Sequence, residues 1–251
     1  MTLTPQMFFI ICPLLFLAGL VDSMAGGGGL ISLPAYLIAG VPVHCAIATN
    51  KLSSSIGTAV STIRYCKNKF ADWSIAVPSI VTALIGSFLG TNIALHTDER
   101  IMKYVMLFVL PIVAFYVLRK HEFSEEPRDM KASKRIILAA AASFVIGGYD
   151  GFYGPGTGTF LLLVYTGLAG MDVRTASGNT KLVNLTSNIA ALITWILNGK
   201  ILPGLGFAAA VFCMAGNYVG SGLVLHNGTK VVKPVILLVL ALLFLKVITG
   251  N

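Results

Sequence analysis

Away from segment ends, the apolar stretches of this chain hold four charged side chains: Asp22, Lys51, Asp150 and Lys181. Glycine-rich breaks follow the carboxylates, "DSMAGGGG" from Asp22 to Gly29 and "DGFYGPGTG" from Asp150 to Gly158. Amide and hydroxyl side chains stand beside the lysines, in "ATNKL" around Lys51 and "GNTKL" around Lys181. An ammonium flanked by neutral donors is suited to hold an anion through charge-assisted hydrogen bonds. Glycine lets backbone approach a ligand closely. A helix that starts after such a run presents free N–H groups and a positive dipole end, which again suits an anion. Asn50, Lys51, Thr180 and Lys181 are therefore the candidate substrate-binding side chains, with Gly27, Gly28, Gly154 and Gly156 as the backbone contacts. Two lysines converging near two helix N-termini would make a strongly anion-selective pocket.

Asp22 and Asp150 have three readings: they cap the broken helix ends, they pair with the lysines, or they carry a coupling ion such as a proton. Each candidate also has a plainer alternative. Lys51 lies only six residues into its span, roughly 9 Å at the helical rise, so its stem could snorkel outward. The glycines could simply let helices pack closely. The recurrence of both features in corresponding places argues against coincidence. "GSFLG" at Gly86 and "GNYVG" at Gly216 differ, since they match small-xxx-small helix packing. No Gly-Lys-Ser/Thr follows either glycine run, which excludes a phosphate-binding P-loop.

The elements able to position these residues are membrane helices. The chain is 56% hydrophobic and 11% charged, against about 25% charged in a soluble domain. Apolar runs long enough to cross a hydrocarbon core of about 30 Å recur throughout. The net charge of +8 fits cytoplasmic loops better than nucleic acid. The start, "MTLTPQMFFIICPLLFLAGL", lacks a basic region and cleavage site, so a retained helix is expected. The four cysteines show no ligand spacing, so neither a metal site nor a disulfide is expected, and no cofactor. "NLT" at Asn184 matches a glycosylation sequon inside an apolar run. Trp73 and Trp195 near span ends are expected in interfacial belts.

Hydropathy and breakers divide the chain into a run at Gln6–Val21, a break at Asp22–Gly29, a short piece at Leu30–Ala39, and spans at Cys45–Tyr65, Trp73–Leu95 and Ile101–Leu118. A polar linker covers Arg119 to Arg135. Then the pattern restarts with Ile136–Tyr149, the second break, and spans near Ala176–Leu197, Ile201–Leu225 and Val231–Val247. This is an internal repeat: Lys51 aligns with Lys181, Gly86 with Gly216, Gly90 with Gly220, His96 with His226 and Lys103 with Lys233. Asp22 aligns with Asp150 after a two-residue insertion. The expected organisation is a first membrane repeat at 1–118, a cytoplasmic linker at 119–135 and a second repeat at 136–251.

Arg64, Lys67 and Lys69 fall on the same side as the basic linker, whereas the equivalent loop "NGKILP" keeps only Lys200. That asymmetry predicts inverted repeats. The Leu30–Ala39 piece is too short to cross, so each broken pair would enter and leave on one side, as a re-entrant hairpin or two tilted half-helices. Parallel repeats would instead need the broken pair to make one crossing. The fold expected is an all-α integral membrane protein of about eight spans in two homologous, inverted repeats, each with a glycine-broken helix pair.

The stretches "DSMAGGGGLISLPAYLIAGVPVHCAIATNKL" and "YDGFYGPGTGTFLLLVYTGLAGMDVRTASGNTKLVNLTSN" resemble the paired signatures of the TauE/SafE sulfite exporter family, over nearly the whole chain. The resemblance implies a multi-pass transporter of the bacterial plasma (inner) membrane that moves sulfur-containing anions such as sulfite, sulfonates and sulfoacetate. Transport by alternating access around a midplane site is expected, with an anion channel or a carrier of non-sulfur organic anions as alternatives. An enzyme is not expected, because His44, His96, His121 and His226 all lie outside the apolar interiors. The partners expected are a small anionic substrate, the lipid bilayer and a second copy in a homodimer, and no nucleic acid.

Overall fold

A computed structural model describes residues 3–98, 100–101, 126–232 and 234–235. The expected span at Ile101–Leu118 beyond its first residue, residues 119–125 of the linker with His121, and most of the span at Val231–Val247 lie outside the described residues. Within them the fold is helical: α1 (Pro5–Ala25), α2 (Gly29–Ile38), α3 (Val43–Lys67), α4 (Trp73–Leu95), α5 (Ala132–Phe152), α6 (Thr157–Gly167), α7 (Val173–Leu197) and α8 (Pro203–Asn227), then a 3-10 turn at Gly228–Val231. Five of these, α1, α4, α5, α7 and α8, are long and apolar enough to cross a membrane. At 25 residues α3 equals α7 in length, but it carries the polar run Asn50–Ser55. With 10 and 11 residues, α2 and α6 reach only about 15 Å.

Local chemistry sets the ends. Pro5 opens α1, where a missing N–H costs nothing. Gly26 closes it in the left-handed region at φ 78°, with its N–H on Asp22 O. Asp72 caps α4 by accepting from Ser74 N, and Asp172 caps α7 by accepting from Thr175 N. Two boundaries differ from expectation. The helices before the breaks run on through the carboxylates, so Asp22 and Asp150 sit in the last turns of α1 and α5 rather than in the breaks. The fifth helix starts at Ala132, inside the segment read as linker.

The packing repeats itself when the halves are exchanged. The most extensive contacts are α4 with α5 and α1 with α8, followed by α3 with α8, α4 with α7, and α3 with α7. The small residues repeat the pattern: a Cβ on Gly86 would run into Phe144 O, and one on Gly216 into Phe16 O; likewise Gly90 abuts Gly148 O, and Gly220 abuts Leu20 O. Both small-residue faces are therefore used within the chain and supply no dimer surface. Large apolar side chains such as Val81, Ile85 and Phe88 on α4, and Phe207, Val211 and Tyr218 on α8, face outward, as helices in lipid require.

The apolar core forms two clusters. One gathers Val21 and Met24 of α1, Tyr65 of α3, Ile75 of α4, Ala139 of α5, Val173 of α7 and Val224 of α8. The other gathers Met7 and Ile11, Leu33 and Tyr36 of α2, Ala46 and Ile47, Ala94, Trp195 and Leu205. On α3 the polar stretch around Lys51 falls between Ala48 of one cluster and Tyr65 of the other; on α7 the change of cluster comes between Val183 and Ala191, just after Lys181. Trp195 belongs to this core and is fully buried, its ring 5.9 Å from that of His44, so it forms no part of an interfacial belt. Trp73 is exposed.

Candidate functional site

The two glycine breaks touch. A Cβ on Gly158 would lie 2.5 Å from Gly26 Cα, and Thr159 Oγ1 donates to Ala25 O at 2.8 Å. Gly26 and Gly154 both adopt the left-handed region, at φ 78° and 100°, which a side chain would strain. A Cβ on Gly154 would also meet Asp150 Oδ1 and Lys51 Nζ at 3.0 Å. The short helices α2 and α6 begin at these breaks, and Leu30 N, Ile31 N and Thr157 N in their first turns donate to Gly27 O, Gly28 O and Gly154 O.

Around the breaks, each lysine pairs with the carboxylate of the other half. Lys51 Nζ lies 2.8 Å from Asp150 Oδ1, both side chains 2% exposed. Lys181 Nζ lies 2.9 Å from Asp22 Oδ2, at 3% and 13% exposed, and also donates to the backbone carbonyl of Asp22. The pairing has a physical cause. A carboxylate in the last turn of a helix sits at the negative dipole end and, once buried, needs a cation and hydrogen bonds. Neither carboxylate caps the following short helix; the residues before α2 and α6, Gly28 and Gly156, have no side chain that could.

The two pairs are dressed differently. Asp150 Oδ1 also accepts from Thr157 Oγ1 at 2.9 Å, and Oδ2 accepts from Ser187 Oγ at 2.7 Å. Asp22 Oδ2 also accepts from Thr58 Oγ1 at 3.2 Å, while no described group donates to Asp22 Oδ1.

Between the pairs lies a polar cavity of about 20 Å³, lined by Asp22, Gly26, Gly29, Asn50, Lys51, Ser54, Thr58, Asp150, Gly154, Thr157, Gly158, Asn184 and Asn188. That is room for about one water, well short of an oxyanion. Asn50, Ser54 and Thr58 are one turn apart on α3, and Asn184 and Asn188 one turn apart on α7, so each set shares a helix face. Among the described residues no cluster of His, Cys, Asp or Glu could hold a metal ion.

Of the residues singled out from sequence, Asp22, Asn50, Lys51, Asp150 and Gly154 line this cavity. Lys181 reaches it only through Asp22. Gly27, Gly28, Gly156 and Thr180 do not line it. Gly27 O accepts from Leu30 N in the first turn of α2. A Cβ on Gly28 would lie 2.6 Å from Ala18 O and Asp22 Cβ, so that glycine permits the turn of α2 against α1. Gly156, at φ 85°, starts α6. Thr180 is buried and its hydroxyl finds no partner among the described residues. Of the three readings of Asp22 and Asp150, the geometry is that of pairing: both lysines of the expected pocket carry a carboxylate partner from the other half.

Of the polar side chains that continue the lysine spans in the sequence, Ser54, Asn184 and Asn188 line the cavity, and Thr58 joins them as a residue the sequence reading missed; its four-residue spacing from Ser54 was the available signal. Asn184 is buried, so the sequon around it is no glycosylation site. Ser53 and Ser55 face elsewhere, toward Tyr36 and Lys51 O.

The sequence profile described as "Sulfite exporter TauE/SafE" matches residues 11–247. The "Probable membrane transporter protein YfcA" of Escherichia coli strain K12 is 33% identical, over 96% of this chain and 92% of its own. The "Probable membrane transporter protein ORF9" of a Sinorhizobium species is 32% identical over 89% and 85%. A "Probable membrane transporter protein" of Haemophilus influenzae is 30% identical over 89% and 87%. No solved structure matches the chain. With five helices able to cross a bilayer and this coverage, the chain is a multi-pass membrane protein and belongs to the TauE/SafE sulfite exporter family.

Proposed function

We propose that the protein is a secondary transporter of the plasma membrane that moves a small oxyanion, of the sulfite or sulfonate class, by alternating access of its two halves. The observation that carries this is the cavity between the reciprocal Lys51–Asp150 and Lys181–Asp22 pairs, where both glycine breaks meet. Each half contributes one cation and one anion to the other, so a movement between halves must remake both pairs. Amide and hydroxyl donors of Asn50, Ser54, Thr58, Asn184 and Asn188 supply the neutral hydrogen bonds an oxyanion with several acceptor oxygens needs. The smallness of the cavity suits a closed state around a midplane site, reached only after the halves move.

Inversion of the repeats is part of this proposal, and the distribution of residues between the two core clusters supports it. Along α1 the chain passes from Met7 in one cluster to Met24 in the other, whereas along α5 it passes from Ala139, in Met24's cluster, to Phe152, packed against Met7's. α3 and α7 oppose each other in the same way, from Ala46 to Tyr65 and from Val173 to Trp195. Arg64, Lys67, Arg135 and Arg174 gather at the Tyr65 end, which fits a cytoplasmic face. The substrate class rests on family membership and on the relatives' names as membrane transporters.

Thermal unfolding of the purified protein against sulfite, sulfate, thiosulfate, sulfoacetate, methanesulfonate and simple carboxylates tests the proposal. A ligand of the native state raises the melting temperature by mass action. We expect a rise for one class of sulfur oxyanion, lost in Asn184→Leu, which fills the cavity. A rise for carboxylates alone would replace the substrate class, and no rise for any anion would defeat the proposal.

A further inference from the structure

The charges of the site cancel. Lys51, Lys181, Asp22 and Asp150 carry two positive and two negative charges, and the cavity's other side chains are neutral. An anion entering alone would leave a buried net negative charge, and an uncompensated ion in a low-dielectric site costs several kcal/mol. Something positive must enter with it.

The two carboxylates differ in their capacity to receive it. Both oxygens of Asp150 are engaged, by Lys51 and Thr157 on Oδ1 and by Ser187 on Oδ2. On Asp22 only Oδ2 is engaged, and the side chain is 13% exposed beside the cavity. The difference is written in the sequence. Thr157 and Gly29 each open the short helix of their half, and Ser187 aligns with Gly57 in the register that aligns Lys181 with Lys51. Both hydroxyls that seal Asp150 are glycines around Asp22.

We infer that Asp22 is the coupling site, taking up one proton on Oδ1 for each monoanion bound. This rests on the anion-transporter proposal above. The proton bonds to Oδ1 and the carboxylate becomes a neutral acid. Its O–H then donates to the anion in the cavity. Lys181, relieved of its counter-charge, remains behind it on the Asp22 carbonyl and balances the anion. The other groups around Asp22 leave this assignment intact: Lys181 comes from α7, Thr58 and Tyr65 from α3, Cys213 from α8, and Lys51 with Asp150 across the cavity. Where α2 and α6 meet the site they bring the backbone of Gly29 and Gly158 and the Thr157 hydroxyl. A sodium ion fits poorly as the partner, because Lys181 already occupies Oδ2 and the adjacent carbonyl.

Proton uptake on binding, measured in weakly buffered detergent solution, tests this. The probe is methanesulfonate, a monoanion that does not itself titrate in the neutral range. We expect about one proton taken up per anion, and an affinity that falls about tenfold per pH unit wherever that one proton is taken up. The sign follows from linkage, since protons bound with the ligand favour binding at low pH. Asp22→Asn mimics the neutral acid and should bind with an affinity independent of pH and without proton uptake. Asp150→Asn, if it folds, should keep the pH slope; the wild-type proton count stands whether it folds or not. Methanesulfonate binding without proton uptake, or a sodium requirement, would overturn the coupling assignment and leave the transporter standing. Sulfur oxyanions binding while methanesulfonate does not would overturn the inference as stated. Failure of every anion to bind would overturn both.

Discussion

Lys51–Asp150 and Lys181–Asp22 occupy equivalent places in the two halves yet are built to different specifications. The first pair is 2% exposed on both sides and takes two hydroxyl donors. The second keeps one carboxylate oxygen without a donor and is 13% exposed at Asp22. A repeat that merely duplicated would have given two equal pairs. One pair is a strut with both carboxylate oxygens engaged, while the other leaves Asp22 Oδ1 without a described donor beside the cavity, and a few glycine-for-hydroxyl differences separate them.

The largest effect expected comes from breaking the strut. Lys51→Met leaves Asp150 charged and buried, at a cost of about 3–5 kcal/mol, whereas Lys181→Met leaves a partly exposed carboxylate at about 1–3 kcal/mol. Unfolding midpoints in detergent compare them, and Lys51→Met should lose far more folded protein. Equal losses would erase the distinction between the pairs.

Next come the helix contacts that repeat across the halves. Gly90→Ala drives a methyl into Gly148 O, and Gly220→Ala drives one into Leu20 O. Each should cost about 1–3 kcal/mol through forced separation of α4 from α5 or α8 from α1. Similar melting shifts would sharpen the structural equivalence; a silent Gly220→Ala would break it.

The smallest effect expected is in the loops that follow the short helices. Gly40 at φ 81° has open space around it, while its counterpart Gly170 at φ 62° faces Arg128 Cβ at 3.1 Å. Alanine at either should cost about 1 kcal/mol of backbone strain, with Gly170→Ala the worse of the two by melting temperature.

Much of this was legible in the sequence. Hydropathy located the helices, and the repeat located the equivalent residues, because lipid forces every backbone polar group into a helix or a protected break. The four charged residues were found for the same reason. Pairing with the lysines was one of three readings, but which partners join was not legible, since Lys51 pairs with Asp150 across 99 positions and sequence spacing says nothing of which half supplies the counter-charge. Helix ends also misled: Asp22 and Asp150 looked like parts of the breaks, but the left-handed turn comes four residues later in each, at Gly26 and Gly154. Thr180 and Asn50 align, and only Asn50 reaches the cavity.

That last contrast gives the most direct test of where the substrate binds. Saturation binding of the best-shifting oxyanion would be compared in the wild type, Asn50→Ala, Asn184→Ala and Thr180→Ala. Loss of a hydrogen bond to a charged group is worth about 1.5–3 kcal/mol, so Asn50→Ala and Asn184→Ala should each weaken binding by about tenfold or more. Thr180→Ala should bind as the wild type does. Unchanged affinity in both asparagine variants, with binding lost in Thr180→Ala, would place the substrate outside the cavity between the two pairs.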